Sequence, residues 1–235
     1  MYVCIVLLGS SGASGLLLLK KLLASSEDHK ITIFLRNASK LPSDLTNDGR
    51  VTIIEGALND RSKLDSALQG VQIILSTLGP RTSLGLHLLA LPWTEYTPIS
   101  DCYTLLFELI QKSHKHTFIR AVILGTPSIP SEHDAWSVFW STAVLGIWAF
   151  ASGAYADVVR WGTVIHKIQE EGELDVTLAR VPILTDGQGG KTAQTGFIGQ
   201  QGCGWYLERD GLVDFWITEG LKGNWVGRDP VVFTG

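Results

Sequence analysis

The sequence is short of charge. Lys, Arg, Asp and Glu make up 18% of its 235 residues, against roughly 25% in an average soluble domain. Apolar residues reach 45%, which excludes a disordered chain, since disorder pairs high charge with few apolar side chains. There is no excess of basic residues: the net charge is −4, and nucleic-acid binding, which calls for a basic stripe, is not expected. Cysteine is scarce too. Cys4, Cys102 and Cys203 are scattered, too few for a disulfide framework or a zinc site. No metal is expected, and a reducing, cytoplasmic setting is.

One long uncharged run is present. Residues 135–156, AWSVFWSTAVLGIWAFASGAYA, carry no charge over a length able to span a bilayer. The apolar N-terminal segment up to Leu8 lacks a basic flank and runs into glycines, so it reads as a buried strand and not as a signal peptide.

Elsewhere, short β-type runs alternate with helical segments. Strands are expected at 2–8, 30–35, 51–55, 71–77, 118–124 and 174–179. Helices are expected at 16–24, 62–69 and 100–113, with Asp60 as a helix N-cap and Gly70 as a helix end. This alternation predicts an α/β fold with a doubly wound parallel sheet, Rossmann-type, in a single domain over 1–235. Substrate-side elements are expected from 127–157 and 183–225. Residues 185–201, rich in Gly, Gln and Thr, read as irregular, 207–219 as a helix, and 225–230 as a tail packing back on the body.

The sharpest chemical signal is the first strand–turn–helix, where Gly9, Gly12 and Gly15 give G-x-x-G-x-x-G. Glycines allow the tight turn and the close approach of a pyrophosphate. The helix start at Ala13 and Ser14 offers free N–H groups and a positive dipole end, with Ser11 as a hydroxyl donor. The second strand ends in Arg36, with Lys40 nearby and no acidic residue at that point. An acid there would bind a ribose 2′-hydroxyl, whereas arginine suits a 2′-phosphate, so NADP(H) is the expected cofactor. Leu58 and Asn59 after the third strand would flank the adenine. Leu78, Gly79 and Pro80 after the fourth would flank the ribose and pyrophosphate.

The segments LLGSSGASG, FLRNASKLP, EGALND, STLGP, VILGTPSI and LDVTLARVPILTDG together resemble atypical short-chain dehydrogenase/reductase proteins. The resemblance is to the NmrA-like, NAD(P)H-binding group, which includes flavin and biliverdin reductase relatives. It implies a nicotinamide facing the ends of strands five and six, where Thr126 or Ser128 would bond the carboxamide or a substrate carbonyl, with backbone groups at Pro182 holding the carboxamide. It also implies that the insertion after strand five walls the substrate pocket.

The Tyr-x-x-x-Lys pair common among such enzymes is absent, because Val159 stands four residues after Tyr155. Tyr155, His133 and Ser128 are the candidate proton donors. Within the uncharged run, Trp136, Phe139, Trp140 and Trp148 are expected either to line a pocket for a planar hydrophobic small-molecule substrate or to form a homodimer contact. A helix break is expected near Gly146, and a membrane span is not, since the run lies between two strands of one sheet.

Three functions follow. The leading one is reduction of a carbonyl, imine or conjugated double bond in a hydrophobic, aromatic or secondary metabolite. The others are non-redox biosynthetic catalysis in the same cofactor-bound pocket and NADP(H)-dependent regulation without catalysis.

Overall fold

The computed structural model describes residues 3–80, 97–113, 118–187 and 189–235. In chain order its elements are β1 (Val3–Leu8), α1 (Ala13–Ala24), β2 (His29–Leu35), α2 (Ser43–Thr46), β3 (Val51–Glu55), α3 (Arg61–Ala67), β4 (Ile73–Ser76), α4 (Pro98–Ser113) and β5 (Arg120–Gly125). They continue with α5 (Val138–Phe150), α6 (Ser152–Glu171), β6 (Asp175–Arg180), β7 (Ile183–Thr185), β8 (Ala193–Gly196), β9 (Tyr206–Glu208), α7 (Arg209–Lys222) and β10 (Val231–Thr234).

Eight strands form one sheet in the order β3-β2-β1-β4-β5-β6-β10-β8. Only β8, at the edge, runs antiparallel to its neighbour. Because successive strand residues face opposite sides, β1 feeds two cores. Ile5 and Leu7 pack with Leu18, Leu19 and Leu22 of α1 and Trp216 of α7. Val6 and Leu8 pack with Leu64 of α3, Tyr103 of α4 and Trp161 of α6. Burial on both faces is what a parallel strand under helices requires, and it explains the uninterrupted apolar run of β1. The order reverses between β1 and β4, which opens a crevice at their carboxyl ends, where such sheets bind ligands.

The expected strands and helices lie within two or three residues of those observed. Asp60 caps α3 by accepting from the Lys63 N–H at 3.1 Å, and Gly70 adopts φ +69° just beyond that helix. Two expectations need correction. Residues 185–201 are not wholly irregular, since they include β8, and the chain returns after 225–230 as β10, inserted between β6 and β8. The four-residue Val-Val-Phe-Thr run is too short for periodicity to reveal.

The helix break in the uncharged run falls at Ala151 (φ −142°, ψ 45°), not near Gly146, which sits inside α5. An added Cβ at Gly146 would meet nothing within 4 Å, and an isolated glycine is tolerated in a helix at a cost of about 1 kcal/mol. Among the described residues no single helix is long and apolar enough to cross a membrane; α5 and α6 combine that length with that apolarity only together, and they are bent by 119°.

Candidate dinucleotide site at the carboxyl edge of the sheet

The chain leaves β1 through Gly9, whose φ of +86° favours glycine. A Cβ there would lie 2.8 Å from the Thr77 backbone at the end of β4. At Gly15 a Cβ would collide with the Gly9 carbonyl oxygen and Ser10 Cα. These two glycines let β1, β4 and α1 close on one another. Gly12 differs: its N–H donates to Gly9 O at 3.0 Å, and a Cβ there would meet only that oxygen, at 3.4 Å.

Gly12 is also the N-cap of α1, so no side chain caps the helix, and its first turn carries no acid. The amide N–H groups of Ala13, Ser14 and Gly15 therefore have no helical partner, and the positive end of the dipole stands uncovered. Ser11, Gly12 and Ala13 are exposed, and Ser14 is half-buried. Beneath them the Ser10 hydroxyl is fully buried and has no hydrogen-bond partner among the described residues. A glycine cradle, free amides and an orphaned hydroxyl fit a dinucleotide pyrophosphate. Sequence reasoning selected Ser11 and passed over Ser10, whose burial has no local sequence signal.

At the end of β2 the side chain of Leu35 is buried and that of Arg36 is exposed. The following turn is pinned by its own residues. Asn37 Oδ1 accepts from the Ser39 N–H and hydroxyl at 2.9 and 2.7 Å, and Glu55 of β3 accepts from the Ala38 N–H. Among the described residues neither the Arg36 nor the Lys40 side chain has a hydrogen bond or ion pair, so two exposed cations project from a fixed turn.

After β3, Leu58 packs on the core beneath and Asn59 is exposed. After β4, Leu78, Gly79 and Pro80 are half-buried. The Ser76 hydroxyl beneath them pairs with Tyr103 Oη at 2.7 Å and accepts from the Leu78 N–H at 3.4 Å. Burial pushes the Tyr103 phenol far above its ordinary range, outweighing the lowering by Ser76, so it stays neutral as a structural prop.

Beyond β5, Thr126 Oγ1 accepts from the Ser128 N–H at 3.2 Å, and Ser128 itself is buried. His133 is exposed, with its ring edge-on to Phe197 at 4.8 Å between centroids. Tyr155 is half-buried in the first turn of α6, and its N–H bonds Ala151 O at 2.9 Å. Among the described residues no hydrogen bond joins Tyr155, His133 and Ser128. Pro182, half-buried, links β6 to β7.

A buried ion pair fixes the β5–α5 loop, and sequence reasoning missed it. Arg180, at the end of β6, is fully buried. Its Nη1 and Nη2 donate to both carboxylate oxygens of Asp134, at 2.6 and 2.8 Å. Nη1 also reaches Ile129 O at 3.1 Å and Nε reaches Asp229 O at 2.7 Å. Asp229 bonds Ser131 Oγ at 2.8 Å and His166 Nε2 at 3.2 Å. Burial pushes its carboxyl up, but hydrogen bonds from His166 and Ser131 and the Arg180 charge outweigh this and hold it below the ordinary value.

Of the four aromatics proposed for a pocket, Phe139 and Trp140 meet edge-on at 5.3 Å between ring centroids, and among the described residues no ring contact joins Trp136 or Trp148 to them. Trp140 packs inward against Ile198, Val231 and Phe233, while Trp136, Phe139 and Trp148 stand exposed. Exposed apolar surface next to Pro182 comes instead from Ile183 and Trp205, on neighbouring strand ends of β7 and β9. Trp205 lay in a Gly-Gln-rich tract with no periodic pattern to mark it.

A glycine turn at the switch point of a 3-2-1-4-5-6 parallel order fits a dinucleotide-binding protein of the Rossmann type. More particularly, a sequence model of the NAD(P)H-binding family matches residues 9–215, and the chain belongs to that family. Solved structures share the fold at low identity. A short-chain dehydrogenase/reductase from Veillonella parvula DSM 2008, in complex with NADP, is 17% identical, with 99% of this chain and 95% of that chain covered and a TM-score of 0.72. The oxidoreductase ylbE from Lactococcus lactis is 16% identical over 99% of this chain and 91% of that one, with a TM-score of 0.69. ChuY, an anaerobillin reductase from Escherichia coli O157:H7, is 16% identical over 98% and 97%, also with a TM-score of 0.69. Among proteins of curated function none matches the sequence.

Proposed function

We propose that the protein is an NADP(H)-dependent reductase acting on a carbonyl, imine or conjugated double bond of a planar, hydrophobic metabolite. The observation that carries the cofactor choice is Arg36, an exposed cation whose side chain has no partner among the described residues, on a turn held by Glu55 and Asn37. In this fold that position lies beside the adenosine ribose, where arginine accommodates a 2′-phosphate. Lys40 adds a second positive charge.

The N–H groups of Ala13 and Ser14 and the Ser11 hydroxyl hold the pyrophosphate, with Gly9, Gly12 and Gly15 keeping side chains out of its way. Leu58 and Asn59 border the adenine, and Leu78, Gly79 and Pro80 the ribose. Thr126 and the backbone at Pro182 orient the carboxamide. When bound, the reduced nicotinamide supplies the hydride. His133 Nε2 delivers the proton, with Tyr155 Oη and Ser128 Oγ as further donors from elements that end at the same sheet edge. Ile183 and Trp205 offer an apolar surface for the substrate beside Pro182. Reduction of an organic metabolite by a structural neighbour, ChuY, accords with this reading.

The test uses NADPH deuterated stereospecifically at C4, incubated with planar aromatic ketones, imines and enones. Deuterium in the product is expected. Product formed without NADPH oxidation would replace this reading with non-redox catalysis in the same pocket.

A further inference from the structure

Helix α5 takes no part in the dinucleotide site. It carries no charged residue, and none of its side chains is buried. A helix apolar all round is ordinarily buried or lies in a membrane. This one turns Leu145 and Phe150 outward at 60% and 72% exposure, and Trp136 just before it is 81% exposed. The Thr142 hydroxyl bonds back to Val138 O and Phe139 O at 3.0 and 2.9 Å, so it makes little demand on water.

With about 200 Å² for each aromatic side chain, the exposed apolar surface here is on the order of 700 Å². That exceeds the roughly 300–600 Å² of the largest patch on a typical monomer. It approaches the roughly 800 Å² that each partner contributes to a standard protein interface.

Charge decides between a bilayer and a protein partner. Helices that lie in a bilayer surface carry Lys and Arg along their polar face. No Lys or Arg occurs between Arg120 and Arg160, and of the flanking acids Asp134 is paired with Arg180 and Asp157 is buried, which leaves Glu132 exposed. A lipid headgroup layer finds no cation here to hold, whereas a second uncharged α5 asks for none.

We propose that α5 is the contact surface of a homodimer, the helix of one copy packing on the same helix of the other across a two-fold axis. Leu145 lies near the middle of the outward side, and the small Ser141, Thr142 and Ala149 leave grooves around it for the partner's side chains.

The test is sedimentation velocity of the full chain from 0.5 to 50 μM, run beside flotation with phosphatidylcholine vesicles. A dimer is expected at tens of micromolar. Leu145→Glu and, separately, Trp148→Glu, one turn along the same side and 56% exposed in the parent, are expected to sediment as folded monomers with the far-UV spectrum of the parent. Leu221→Glu, on α7 and 37% exposed in the parent, is expected to remain dimeric. A parent chain that is monomeric at 50 μM, or that floats with the vesicles, would overturn the proposal. So would persistence of the dimer in folded Leu145→Glu and Trp148→Glu.

Discussion

Replacing Asp134 with alanine probes the ion pair under the substrate side. Arg180 is fully buried, and the substitution removes bonds of 2.6 and 2.8 Å from its two terminal nitrogens. The guanidinium would keep only the carbonyls of Asp229 and Ile129. The Ser131 and Ile198 N–H groups would lose their Asp134 acceptor as well. An uncompensated buried charge of this kind costs about 3–5 kcal/mol. At 2–4 °C per kcal/mol for a chain of this size, the Tm should fall by roughly 6–20 °C. Thermal unfolding followed by far-UV circular dichroism measures it. The double substitution Asp134→Leu with Arg180→Met removes both charges and should recover most of the loss, since apolar replacement of a buried pair is often neutral or better. A single variant less than about 1 kcal/mol below the parent, or a double variant as unstable as the single, would refute the reasoning.

Two further outcomes are expected. Gly15→Ala should lower NADPH affinity by about tenfold or more, because the new Cβ must displace the Gly9 carbonyl and open the turn. Gly12→Ala, with a clearance of 3.4 Å, should cost less in the same calorimetric titration. Burial pushes the Cys102 thiol up to about 12, so at neutral pH it carries almost no thiolate. Mass spectrometry after treatment with a thiol reagent should show Cys102 unmodified in the native protein and modified once it is unfolded.

The parts of this molecule legible from its sequence are those whose cause is local. The apolar run of β1, the glycines of the turn and the leucines of α1 each follow from neighbouring residues, and so does the Asp60 cap. The site features that escaped depend on distant partners. Asp134 and Arg180 stand 46 residues apart in sequence, and nothing in either neighbourhood marks them as a pair. Ser10 and Ser11 are adjacent and chemically alike, yet one is buried and the other exposed. Strand β10 is held by β6 on one side and β8 on the other, contacts that four residues cannot announce. The aromatic run around α5 could be read as apolar, but its uniform lack of charge gave no sign of which side chains would face outward.

The claim that the β2 turn reads a 2′-phosphate is tested most directly by calorimetric titration of NADPH and NADH into the parent chain and Arg36→Ala. A charge-assisted hydrogen bond contributes about 1.5–3 kcal/mol, which is roughly 10- to 100-fold in affinity. The parent should prefer NADPH by at least that factor, and Arg36→Ala should lose most of the preference while binding NADH as before. Equal affinity of the parent for both dinucleotides, or equal loss of both in the variant, would contradict the account.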